Sequence, residues 1–362
     1  TDANKDMVCD KCTMQLSAAG AFALMAVNSD GFVIEPCYVS YSEGATIKEA
    51  LKNSGHTFIG IDSGFISAID GETDNYSLHY DGDGYSLDTA ADHVAAVWFT
   101  TNASQAYSED LLNLVAQMAK YNASTNGVQD YPAAQQAYAA AEEDFYQTGK
   151  AAKLYTDLKT AMDQYDAFLS GEKVTVTMSI TMGDGYVSAG KAVFTSEYGT
   201  TVETEDLVAV ELVPGEYTFD ISDGSFRHVR GSIQVTEGTT LTATLPSGKW
   251  ISCLDLGIAS GTAYWKAVDK SDVTDGSATF YVPDHANTSL YPYVVRGEGV
   301  EASTHKLYLE GSTSARTWES YSTALAHVIE SESLQDTTLV LECRLVNNPD
   351  GYEQYQTFTM DI

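Results

Sequence analysis

At Lys173 the apolar residues stop recurring every three or four positions and begin to alternate. A helical period and a strand period cannot share one regular element, so the chain must be built in parts. Upstream, SEDLLNLVAQMAKY carries Ser108 as a helix N-cap, acids in the first turn, and Leu111, Leu112, Val115 and Met118 at helical spacing. After the break NASTNGVQDYP come AAQQAYAAAEEDFYQTG, with Tyr138, Ala141 and Phe145 on one face, and KAAKLYTDLKTAMDQYDAFLSG. In the latter, Leu154, Leu158, Ala161, Met162, Tyr165 and Leu169 mark the apolar stripe. Three amphipathic helices with short connections predict a small antiparallel bundle.

Downstream, KVTVTMSI, KAVFTSEY, DLVAVELVPGEYTFDI, GSIQVTEG and TLTATLP alternate Thr and Val between closely spaced turns, which predicts a compact β-sandwich. From about Lys249 the chain is again β-rich, in ATFYVP, YPYVVRG, HKLYLEG, TTLVLECRLV and YEQYQTFTMDI, with one expected helix at Ser320–Ser331. Before the helices, FALMAV, FVIEPCYVSY and HVAAVWFTT have strand composition, and ATIKEALKNSG (Ala45–Gly55) reads as a short helix with Gly55 placed as a C-cap. The expected organisation is multi-domain, α+β and all-β. An α+β head (1–102) precedes a three-helix bundle spacer (103–170) and two β-sandwich domains of Ig-like or prealbumin-like type (171–248 and 249–362).

At 362 residues the chain is too long for one core. The 51 acidic and 19 basic residues give a formal charge of −32, which repels polyphosphate and anionic membrane surfaces and so excludes nucleic acid as a partner. The longest apolar run, Ala18–Val27, is half the length of a membrane span and reads as a strand, so no membrane insertion is expected. A start at Thr1 suits a mature chain or an excised fragment. Tyrosine is abundant, 23 against 12 Phe, as suits shallow cores and contact surfaces.

Three stretches resemble known families. VSYSEGATIKEALKNSGHTFIGIDSGFISAIDG (Val39–Gly71), through Gly44-Ala45-Thr46, Ala50-Leu51 and Ile69-Asp70-Gly71, resembles the DUF4430/transcobalamin-C-terminal-like family of secreted proteins of Gram-positive bacteria. It lacks that group's tryptophan-bearing segment and has NYSLHYDGDGYSLD there, so the family's ligand binding does not carry over. The segment YPAAQQAYAAAEEDFYQTGKAAKLYTDLKTAMDQY resembles FIVAR-like helical spacers, and LVPGEYTFDISDG resembles PEGA or carboxypeptidase-regulatory-like β-sandwiches. Together the resemblances imply an extracellular cell-surface protein of a Gram-positive bacterium.

Catalytic signatures are missing. The seven histidines (His56, His79, His93, His228, His285, His305, His327) are scattered, and there is no H-E-x-x-H, G-x-S-x-G, P-loop or dinucleotide fingerprint. Calcium is the one cofactor the residues offer. YDGDGYSLD sets Asp81, Asp83 and Asp88 about a tight turn, where carboxylates, carbonyls and waters supply the oxygens Ca²⁺ needs; the same DGDG is also a sound hairpin turn without metal. Five cysteines leave at least one unpaired. Cys9 and Cys12, ahead of the first strand and outside any βαβ unit, read as a disulfide fastening of the N-terminal segment, to each other or to Cys37; Cys253 and Cys343 are candidates for a bridge in the last domain. Asn102, Asn122 and Asn287 carry glycosylation sequons.

The expected function is non-enzymatic: adhesion, scaffolding or membership of a surface assembly or filament, with other surface proteins, glycans or copies of itself as partners. Free strands at both ends of the chain offer edges for self-pairing. The alternative is a small-ligand binder, corrinoid or glycan, using tyrosines of the N-terminal domain.

Overall fold

A computed structural model describes residues 19–80, 86–101, 108–144, 149–248, 250–260, 263–266, 271–272, 276–279, 288–296, 303–309, 315–318, 330–331, 338–345 and 351–361. Cys9, Cys12, Asp81, Asp83, Asn102, Asn287 and the expected helix at 320–331, apart from its last two residues, lie outside them. Glu330–Ser331 is a strand. The chain divides into two compact units, one running to Ser170 with Tyr198–Thr200 and one formed by Gly171–Glu197 and Thr201–Ile362.

The first unit contains β1 (Gly20–Asn28), β2 (Gly31–Tyr41), α1 (Ile47–Lys52), β3 (Phe58–Ile59), β4 (Ile66–Ile69), β5 (Glu72–Tyr80), β6 (Ala96–Thr100), α2 (Glu109–Ala123), α3 (Pro132–Asp144) and α4 (Ala151–Leu169). Its sheet has the order β2-β1-β6-β5-β4-β3, with β1 and β6 parallel, Met25 opposite Trp98. This pairing explains why FALMAV and AVWFT are continuous apolar runs rather than alternating ones. Parallel strands at the centre of a sheet are covered on both faces, so both sets of side chains are buried. Ala23, Met25, Val27, Ala96 and Trp98 lie in one core with the helices, while Phe22, Leu24, Ala26, Val97 and Phe99 lie in another with Ile47, Ala50 and Leu51 of α1.

Local signals hold well here. Thr46 and Glu49 form a capping box on α1, and Ser108 accepts a hydrogen bond from the Leu111 amide at 3.2 Å. Gly55 does not cap α1: Asn53 does, its side chain donating to the Glu49 carbonyl at 3.0 Å. Leu154, Leu158, Ala161, Met162 and Tyr165 are buried as expected, whereas Leu169, in the last position of α4, is 44% exposed.

The three helices are not a free-standing spacer. Leu111, Leu112, Val115 and Met118 of α2 share a core with β1 and β6, and α3 and α4 close the same core from outside. A helical layer buries its stripe against whatever apolar face is available, and here that face is a sheet.

Among the described residues the second unit contains strands and turns. Its first half holds β7 (Val174–Met182), β8 (Gly185–Tyr186), β9 (Ala189–Ser196), β10 (Thr201–Asp206), β11 (Ala209–Leu212), β12 (Gly215–Ser222), β13 (Arg227–Val235) and β14 (Thr240–Leu245). Its second half holds β15 (Ile251–Ser260), β16 (Ala263–Lys266), β17 (Ser271–Asp272), β18 (Ser277–Thr279), β19 (Thr288–Arg296), β20 (Ser303–Leu309), β21 (Ala315–Trp318), β22 (Glu330–Ser331), β23 (Thr338–Leu345) and β24 (Glu353–Asp361). The main sheet has the order β10-β9-β12-β13-β24-β23-β20-β21, with β18 beside β24. A smaller sheet has the order β11-β7-β14 with β8 on β7, and a third has β16-β15-β19-β22 with β17 on β15.

Two expectations change. The boundary at 248/249 does not separate two sheets, because β24 pairs with β13 from Arg227↔Gln356 to Arg230↔Glu353. The strands nearest the chain ends are not free either: β1 lies between β2 and β6, and β24 between β13 and β23. Their backbone groups are used on both sides, so self-pairing through them has no edge to use.

Candidate functional site: a polar groove on the main sheet of the second unit

Alternation on β12 and β13 sends Tyr217, Phe219, Ile221 and Val229 into the core and Thr218, Asp220, His228, Arg230 and Ser232 to the other face. Register then assembles rows across strands. Thr201, Thr195, Thr218 and Ser232 are successive partners on β10, β9, β12 and β13. The next row is Glu203, Val193, Asp220, Arg230 and Glu353, which reaches β24. Thr195, Thr218 and Ser232 of the first row and Val193, Asp220, Arg230 and Glu353 of the second line an open groove of about 460 Å³, and Thr201 and Glu203 continue the rows onto β10 beyond it.

An ion-pair network runs along the charged row. Asp220 receives Arg230 Nε at 2.7 Å and faces His228 Nδ1 at 2.8 Å, while Arg230 Nη1 donates to Glu342 at 2.7 Å. The Arg230 guanidinium lies 4.4 Å from the centre of the Tyr355 ring. Glu353 takes hydrogen bonds from Arg344 and from the Tyr355 hydroxyl. Burial raises the Asp220 carboxyl, but His228 and Arg230 more than offset it and hold the group below the usual range. Burial lowers Arg230, yet Asp220 and Glu342 leave it raised. Tyr355 is pushed up to about 12 by burial and by Glu353. Nearby, burial raises Asp223, but bonds from Ser225 and Arg227 hold it low.

A sign follows for acid. Asp220 and Asp223 titrate below their unfolded value of about 3.9. Their stabilisation is therefore full above that pH and is lost as the pH falls through the lowered folded values. Denaturant midpoints of the second unit are expected to drop steeply from pH 4 downward, and the D220N/D223N variant to drop less. Parallel profiles for the two proteins would count against these carboxylates as the acid-sensitive groups.

The groove presents hydroxyls and fixed charges. Asp220 and His228 resemble the orienting half of a catalytic triad, but Ser222, across the ladder from His228, places its hydroxyl 3.4 Å from the Lys191 carbonyl.

The residues singled out from sequence fall elsewhere. Asp88 pairs with Lys48 at 2.7 Å, and among the described residues no group of three or more His, Cys, Asp or Glu is placed to hold a metal ion. Cys343 is a free thiol buried in β23, so the expected bridge to Cys253, on β15 of a different sheet, is not made. Cys37 is also a free thiol rather than a partner for Cys9 or Cys12; burial, then Glu35, pushes it up to about 11. Asn122, an expected sequon residue, donates to the Pro36 carbonyl at 2.9 Å and to the Tyr138 hydroxyl at 2.7 Å. Of the tyrosines of the N-terminal domain, Tyr41 stacks on Phe22 at 6.2 Å, Tyr76 is buried in the core with α1, and Tyr38 is exposed.

Asp220, Arg230, Glu342 and Glu353 were not foreseen. The available signal was charge at outward positions of strands that are otherwise Thr- and Val-rich, since such residues are depleted in strands without a partner.

No protein-family model matches the chain, and no curated protein does. The resemblances to DUF4430, FIVAR-like and PEGA-like modules thus have no matching family model. Among solved structures, a DUF3823 family protein from Bacteroides ovatus ATCC 8483 is similar at 9% identity, covering 52% of this chain and 98% of that one, with a TM-score of 0.19. A "putative carbohydrate binding protein" from Bacteroides uniformis ATCC 8492 is similar at 7% identity, covering 53% and 100%, with a TM-score of 0.18. TM-scores this low carry no argument about the site. Among the described residues no helix is long and apolar enough to cross a membrane.

Proposed function

We propose that this is a non-enzymatic binding protein of an extracellular surface, acting in adhesion or scaffolding, which holds its ligand in the sheet-face groove of the second unit. The observation that carries the proposal is the register: hydroxyls and compensated charges from four neighbouring strands meet on one open face. A rigid sheet presents such groups without reorganisation, which favours recognition. The charged groups bind one another, which suits a fixed recognition surface.

Hydrogen exchange of the protein with and without soluble polysaccharides, peptidoglycan fragments and surface peptides tests the proposal. Protection of residues 215–232 by at least one of these, with that compound recovered intact, is the expected result. No protection by any of them, or turnover that D220N abolishes, would overturn it.

A further inference from the structure

The occupant of the groove can be narrowed, and the narrowing rests on the binding role proposed above. We infer that the groove takes a neutral, extended, β-linked glycan lying across the strands. Thr201, Thr195, Thr218 and Ser232 stand on four consecutive strands in register, one hydroxyl per strand. Strands repeat every 4.8 Å or so, and the row spans about 14 Å. That repeat is close to the advance per sugar of an extended β-1,4-linked chain, so successive sugars meet successive hydroxyls.

Hydroxyls both donate and accept, as sugar hydroxyls do, which suits them to a polyol better than side chains limited to one role. The second row adds fixed charge beside the first. Arg230 uses Nε and Nη1 within the protein, and Asp220 and Glu353 are held by His228, Arg230, Arg344 and Tyr355. A row in which Asp220, Glu342 and Glu353 are each bonded to an arginine offers strong hydrogen-bonding groups whose charges are already paired within the protein.

Two other classes fit less well. An acidic polysaccharide would meet a chain of formal charge −32. A peptide adds to a sheet through unpaired backbone at an edge, whereas β9 and β12, which carry Thr195 and Thr218 at the centre of the row, are interior strands paired on both sides.

Calorimetric titration with cello- and manno-oligosaccharides of two to six sugars, beside oligogalacturonates of equal length, tests the inference on the full chain. Affinity is expected to rise with length up to three or four sugars, matching the span of the row. The T218V/S232A variant removes two hydroxyls from exposed positions and is expected to weaken binding about thirtyfold at unchanged thermal unfolding, two net hydrogen bonds being worth about 2 kcal/mol. The single variant S232A, the milder change, is expected to show a smaller loss. Oligogalacturonates are expected to bind at least about tenfold more weakly. Failure of every neutral oligosaccharide to bind, equal binding by variant and parent, or tighter binding of oligogalacturonate would each overturn the inference. If another compound still protects residues 215–232 in the exchange experiment, only the ligand class falls and the binding role stands; if none does, both fall.

Discussion

Replacing Trp98 by alanine is expected to lower the stability of the first unit by about 3–5 kcal/mol, with sheet and helices unfolding in one transition. Trp98 has no exposed surface and projects from β6 into the core shared with α2, α3 and α4. Truncation leaves a cavity between the two layers that neither can fill, because β6 is held by β1 on one side and β5 on the other. The single transition matters more than the size of the loss. If the helices formed a bundle of their own, their circular-dichroism signal would outlast the sheet in the variant. A layer that borrows its core from the sheet must melt with it. Chemical denaturation followed by circular dichroism at a helical wavelength and by hydrogen exchange of β1 and β6 checks this, because Trp98 is the first unit's only tryptophan and fluorescence of the variant would report the second unit alone; two separated transitions within the first unit would restore the spacer.

Replacing Arg230 by methionine is expected to cost the second unit about 2–4 kcal/mol, below the figure for a fully buried pair because these groups are partly exposed. Arg230 joins β12 and β13 to β23 by bonding Asp220 and Glu342, and the Glu342 side chain is only 10% exposed. Without the guanidinium, both carboxylates remain in a half-buried place with one strong partner fewer. The diagnostic experiment is a rescue. D220N and E342Q added to R230M remove the stranded charges and are expected to recover part of the loss, as measured by denaturant midpoint. No recovery would mean that the cost lies in lost packing on Tyr355 rather than in charge.

Much of the fold was legible where signals are local. The caps at Thr46 and Ser108, the stripes of α2 and α4, and the alternation of β7, β9 and β12 all depend on residues within a turn or two of each other. The runs FALMAV and AVWFT announced strands, while their burial on both faces became clear only from the parallel pairing of β1 with β6. The groove was not legible. Arg230 and Glu342 are 112 positions apart, and nothing in a strand's composition names its partner. The cysteines misled for a related reason: shared membership of one expected domain suggested a bridge, while Cys253 and Cys343 belong to different sheets.

The amino-acid sequence by itself determined the kinds of element, their caps and turns, the acidic balance and the change of period at Lys173. Only the tertiary structure decided that the helices cover a sheet and that β24 joins the sheet begun by β9, β12 and β13. Periodicity and capping are set by neighbours along the chain, so they can be read there. Which apolar face meets which, and which strand completes a ladder, is settled by burial and hydrogen bonding between remote segments, and those segments carry no mark of one another until they meet.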